Sequence, residues 1–264
     1  MTADAIDSIL CYTARHGQVS WCGSRVDSTE RFTQYLEAVV KPRLFDSMLG
    51  FEADLRALST TGMATEYVRR LLCAVPDLQS WEVGEAIAEC ALQTNSGLEF
   101  LWPWNTVRDR RSPRACLPGA DLVGFCRRDD SVLLVFGEVK TSSDLHTPPS
   151  VMNGGSGMTW QLEKHATHLM NQRTLLQWLH ARCTCEPFQT LYKRAVKCLL
   201  VSEGKEMLLV GVLLRDTTPN EDDLQSRGKW LSQKLTAPTQ AMLFAWYLPI
   251  PISRWPNLLR GERP

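Results

Sequence analysis

Between residues 118 and 140 two apolar runs flank a short polar group, Arg127 to Ser131, the pattern of a β-hairpin with a tight turn. With the turn centred on Asp129-Asp130, antiparallel partners have numbers summing to 259, which sets Asp121 directly opposite Glu138. Lys140 lies two residues beyond Glu138 and therefore projects from the same face of the sheet. Two carboxylates and an ammonium group are thus expected to converge at the open end of the hairpin.

Periodicity elsewhere alternates between helix and strand. After an irregular start around His16 to Ser28, the segment Ser28-Thr-Glu-Arg31 reads as a helix N-terminus, and Phe32, Leu36, Val39 and Val40 recur at helical spacing up to Pro42. A second amphipathic set is Tyr67, Val68, Leu71 and Leu72. Residues 1–75 are accordingly expected to be a mostly helical region suited to packing or to docking a partner, and residues 76–264 a separate domain.

The stretch from Trp81 to Leu92 reads as a helix on which Glu82, Glu85 and Glu89 form one stripe, ordinarily a solvated face unless a metal site lies beside it. Gly97 to Trp104 is expected to be a first strand. The hairpin follows, then a Ser/Thr/Pro/Gly-rich mobile connection at 141–157. Met158 to Arg182 reads as one helix with Gln161 and His165 on a shared face. Strands are expected at Arg194 to Val201, Glu206 to Leu214 and Met242 to Leu248, with a short helix in the polar interval before the last.

Composition narrows the function classes. The 264 residues include 44% hydrophobic ones, enough for a packed core, and the formal net charge is zero. Affinity for nucleic acid must then come from a local patch or from a partner. The loop from Asn105 to Leu117 offers such a patch, with Arg108, Arg110, Arg111 and Arg114, although a solvated loop has the same composition. Nine scattered cysteines without paired CxxC spacing indicate reduced thiols in a cytoplasmic protein rather than a zinc site. No apolar run approaches the roughly 20 residues that span a bilayer. Gly154-Gly155-Ser156-Gly157 is not followed by GK[ST], so it is no nucleotide cradle.

Hydrolysis of a phosphodiester is the chemistry these residues suit. A hard divalent cation is held by one or two carboxylates with waters and phosphate oxygens, and Asp121 and Glu138 supply the carboxylates. Lys140 would then orient the attacking water or stabilise charge on the phosphoryl oxygens.

The order helix, strand, Asp-bearing strand, Glu-x-Lys strand, helix, strand over roughly residues 81 to 202 resembles the αβββαβ core of the PD-(D/E)xK nuclease superfamily. Glu138-Val-Lys140 matches its motif directly, whereas Pro118-Gly-Ala-Asp121 is a looser form of Pro-Asp. The resemblance implies an α/β (α+β) restriction-endonuclease-like fold with a mixed sheet flanked by helices, and Mg²⁺ or Mn²⁺ as cofactor. It further implies an accessory metal-binding glutamate on the first core helix, Glu85 with Glu82 as alternative. Gln161 takes the place of the glutamine in a Gln-x-x-x-Tyr motif, with His165 where that motif has Tyr.

More narrowly, Gly-Ala-Asp-Leu-Val-Gly-Phe and Phe-Gly-Glu-Val-Lys resemble the HamA family, the nuclease subunits of bacterial Hachiman antiphage systems. That likeness implies DNA as substrate, a superfamily 2 helicase partner of the HamB type, and no membrane association. The alternatives are a non-catalytic nuclease-like module that regulates a helicase and a stand-alone restriction or repair nuclease.

Overall fold

A computed structural model describes residues 5–45, 50–73, 78–94, 98–103 and 119–260. The expected basic loop at 105–117, Pro118 and the end of the expected first strand at Trp104 lie outside the described residues. Seven strands form one mixed sheet with helices on both faces, an α/β arrangement.

The chain opens with two strands, β1 (Ile9–His16) and β2 (Val19–Arg25). Helix α1 (Thr29–Tyr35) follows, capped by the Ser28 hydroxyl, which accepts from the Arg31 amide. It runs through a π-helical turn, Leu36–Val40, into α2 (Lys41–Phe45). Next come α3 (Phe51–Leu58), α4 (Gly62–Cys73) and α5 (Ser80–Gln93). The strands β3 (Glu99–Leu101), β4 (Leu122–Arg128) and β5 (Ser131–Ser142) precede the helices α6 (Met158–Thr167), α7 (Leu169–Arg182) and α8 (Phe188–Val201). The chain closes with β6 (Met207–Arg215), α9 (Asp222–Lys234), β7 (Gln240–Tyr247) and α10 (Trp255–Arg260).

Strand order is β1-β2-β7-β6-β5-β4-β3. The three central pairings, β2 with β7, β7 with β6 and β6 with β5, are parallel, and the hairpins at both edges are antiparallel. Parallel strands with both faces covered are apolar throughout, and every residue of β6 is buried. On one face Val135, Val139, Val210 and Val212 pack with α1, α5 and α10 through Phe32, Ile87 and Trp255. On the other, Leu134, Phe136, Leu209 and Leu213 meet α6 to α9 through Leu162, Leu175, Leu199 and Leu231.

Several expectations are corrected. Residues 9–16 and 19–25 are strands, not part of a mostly helical region with an irregular start around His16 to Ser28; in β2, Val19 and Trp21 turn inward on alternate positions and pair with β7, while β1 pairs with β2. The front region therefore shares the sheet and core of the remainder. Its helical part is confined to residues after Ser28, and α3 and α4 bury no side chain.

Arg194 to Val201 is helix, since Leu191, Ala195 and Leu199 recur every four residues and are buried together. The helix expected over 158–182 breaks at His168, whose backbone is extended. Finally, the connection after β5 is organised by Asp144, whose carboxylate accepts from the amides of His146 and Ser150 and from the Ser150 hydroxyl. Buried Arg215 donates to the Asp144 and His146 carbonyls and pairs with buried Asp223.

That ion pair has Tyr247 Oη as a further partner, 2.9 Å from Asp223 Oδ2. Replacing Asp223 with Ala leaves a buried guanidinium uncompensated and should cost about 3–5 kcal/mol. Urea unfolding of Asp223→Ala checks this, and Arg215→Met added in the same chain should restore most of the loss.

Candidate active site

The hairpin register follows the sum expected from the sequence: Leu122 pairs with Gly137, Val123 with Phe136 and Arg128 with Ser131. The turn places Asp129 in the left-handed region at φ 51°, a conformation that Asp tolerates in tight turns. Asp130 is tied down by Arg194 of α8, whose Nη2 lies 2.5 Å from its carbonyl oxygen. Continuing this register past the end of β4 sets Asp121 beside Glu138, and the Asp121 amide donates to the Gly137 carbonyl at 3.0 Å.

Three of the expected residues come together. Lys140 Nζ lies 2.9 Å from Glu138 Oε2 and 3.9 Å from Asp121 Oδ2. The same Asp121 oxygen accepts from the Val139 amide at 2.9 Å, which fixes its carboxyl at the rim of the sheet. Glu138 is 1% exposed and its second oxygen, Oε1, lies 3.0 Å from His165 Nε2. His165 Nδ1 in turn lies 2.7 Å from the amide nitrogen of Asn171. An amide nitrogen only donates, so Nδ1 accepts and the ring proton sits on Nε2, directed at Glu138.

Helix α6 reaches Glu138 because the neighbouring strand makes room. Gly211 of β6 is the register partner of Glu138. A Cβ there would stand 2.6 Å from Met158 Sδ and 2.7 Å from Leu243 Cδ2, so a side chain at this position would displace the Met158 and Leu243 side chains that pack α6 onto the sheet.

Gln161 shares the His165 face of α6, as its spacing requires. It lines an adjoining cavity of about 520 Å³, and its buried Oε1 accepts no hydrogen bond among the described residues.

The acidic stripe on α5 departs from a solvated face, since Glu82, Glu85 and Glu89 are all buried. Glu82 closes a capping box by accepting from the Gln79 amide, and Glu89 pairs with Arg43 at 2.6 Å. Glu85 is not gathered with Asp121 and Glu138: among the described residues no three His, Cys, Asp or Glu side chains surround a common point. The reason is the docking of α5. Its Gly84 packs on Thr141 and Leu214, the face of the sheet opposite Glu138 and Lys140. The expected three-carboxylate set is therefore two carboxylates.

Asn171 is the participant that the sequence reading missed. Its only signal is a polar residue six positions after His165, across a helix break that periodicity does not reveal.

Electrostatics separates the two acids. Burial, reinforced by the charge of Glu138, pushes Asp121 up to about 7, against the opposing effects of Lys140 and the Val139 amide. Burial also acts to raise Glu138, but the His165 hydrogen bond and the charge of Lys140 outweigh it and hold this carboxyl below the usual range. Without a cation, the pair holds one proton on Asp121 near neutral pH.

No protein-family model matches the chain, and no curated protein sequence does so either. The chemistry of the site therefore rests on its own geometry.

Asp121 is protonated in the fold up to about pH 7 but ionises at the ordinary value of 3.8 once unfolded. Its contribution to stability is thus greatest at low pH and is lost as pH rises to about 7. Asp121→Asn escapes this loss. In chelator-containing buffer its Tm should exceed that of the unaltered chain by a margin that widens from pH 4 to pH 7, reaching about 8 °C, and stays level above that. Thermal scans across this range check the sign and the window.

Proposed function

We propose that the chain is a metal-dependent deoxyribonuclease of the PD-(D/E)xK type, cleaving DNA phosphodiester bonds as the cytoplasmic effector of a bacterial antiphage complex with a superfamily 2 helicase. The observation that carries the catalytic part is the cross-strand pair Asp121 and Glu138 with Lys140 on the same face. The element order α5, β3, β4, β5, α6 and β6, with α7 and α8 inserted before β6, supports the superfamily assignment. The helicase part rests on the likeness to HamA and on a net charge of zero, which favours delivery to DNA by a partner.

The donor set fits Mg²⁺ or Mn²⁺, since two hard carboxylate oxygens suit a small cation that keeps its remaining positions for water and phosphate. The proton held by Asp121 fits as well, because a divalent ion would favour the ionised form that the Glu138 charge opposes. When bound, the ion would supply charge neutralisation at the phosphoryl group and a more acidic water. Lys140 would orient that water and stabilise developing charge on the phosphoryl oxygens. His165 positions Glu138 by occupying Oε1, so that Oε2 keeps a fixed direction. Gln161 stands in the adjoining cavity, where its amide can orient water or phosphate.

A non-catalytic reading is favoured by one observation: both oxygens of Glu138 already have partners in Lys140 and His165. Titration with Mn²⁺ separates the two readings.

In the complex with its helicase, Glu138→Ala and Lys140→Ala should each reduce Mg²⁺-dependent plasmid degradation by at least about 100-fold, with unchanged circular dichroism. Retained cleavage would overturn the assignment. His165→Ala should weaken Mn²⁺ binding to the isolated chain by about 10- to 100-fold, as loss of a partner behind a ligand does, measured by isothermal titration.

A further inference from the structure

We infer that the groove along the α6–α7 junction is a binding track for a nucleic-acid backbone, seating the phosphates that flank the one at the Asp121–Glu138 pair. This rests on the nuclease reading for its direction but not for its chemistry.

The groove encloses about 520 Å³, and Gln161, Lys164, His165, His168, Asn171 and Thr174 are among its lining residues. Among the described residues no Asp or Glu lines it. Lys164 and His168 are exposed, and among the described residues neither forms an ion pair, so their side chains are available to an anion. Cationic, amide and hydroxyl groups without an acid make up the usual set for sugar and phosphate contacts.

Continuity supplies the remaining argument. His165 is at once a wall of the groove and the hydrogen-bond partner of Glu138. A strand with one phosphate at the carboxylate pair would pass next over Lys164 and His168.

The test uses the full chain in chelator-containing buffer with two fluorescent probes, a short oligothymidylate and a hairpin duplex, followed by anisotropy over a salt series. Lys164→Gln is compared with Lys197→Gln, an exposed lysine of α8 outside the groove. Lys164→Gln should weaken binding several-fold. It should also lower the slope of log affinity against log salt by about 0.7 with the single strand or about 0.9 with the duplex. Lys197→Gln should do neither, and the probe showing the larger Lys164 effect identifies the strand form.

Equal behaviour of the two variants on both probes, or no binding by the unaltered chain, would overturn the groove. Mn²⁺ titration of the same preparations reports on the carboxylate pair alone. Loss of metal binding with a retained Lys164 effect would refute the nuclease reading and leave the groove standing.

Discussion

Register parity in the β4–β5 hairpin is the constraint on which the rest of the site depends. Because side chains alternate across a strand, a slip of one residue would send Asp121 to the opposite face from Glu138 and dissolve the pair. The turn at Asp129-Asp130, held from outside by Arg194, and the buried parallel partner β6 remove that freedom from both sides. Gly211 then opens the space through which α6 brings His165 to Glu138, so a hairpin, a neighbouring strand and a helix define a single carboxylate.

The same burial that fixes the site makes it electrostatically unfavourable. A buried Glu138 and a half-buried Asp121 side by side cannot both ionise cheaply, and the chain answers with one ammonium and one imidazole directed at Glu138. Asp121 receives less and keeps its proton to about pH 7. Departures of this kind from structural economy are characteristic of sites selected for chemistry. The Arg215–Asp223 pair is a contrasting case: it is also buried, but its partners tie the loop after β5 to the sheet.

Legibility in the sequence followed the range of the interactions involved. The β4–β5 hairpin, α1 with its Ser28 cap, α5, β6 and β7 were readable because each is determined by neighbours within a few residues. Strand β2 was not, since its parallel partner β7 lies more than 200 residues further along the chain, and the exposed edge strand β1 pairs only with β2. Arg194 to Val201 failed for a different reason: a short apolar run has no period of its own, and the helix shows only when Leu191 is included. The glutamates of α5 illustrate the limit for the site. Their spacing was correct, but spacing cannot distinguish a ligand from the cap that Glu82 provides or the ion pair that Glu89 makes.

The parallel pairing of β2 with β7, Val19 beside Ala241, joins the first hairpin of the chain to its last strand. During synthesis the Asp121–Glu138 hairpin is complete while much of the polypeptide is still to come, whereas the centre of the sheet waits for β7. Contacts of such long sequence separation form slowly. The hairpin that carries the carboxylates is therefore early and local and its rigid support late and global, an order of assembly in which the sheet behind Asp121 and Glu138 is locked only once β7 has been added.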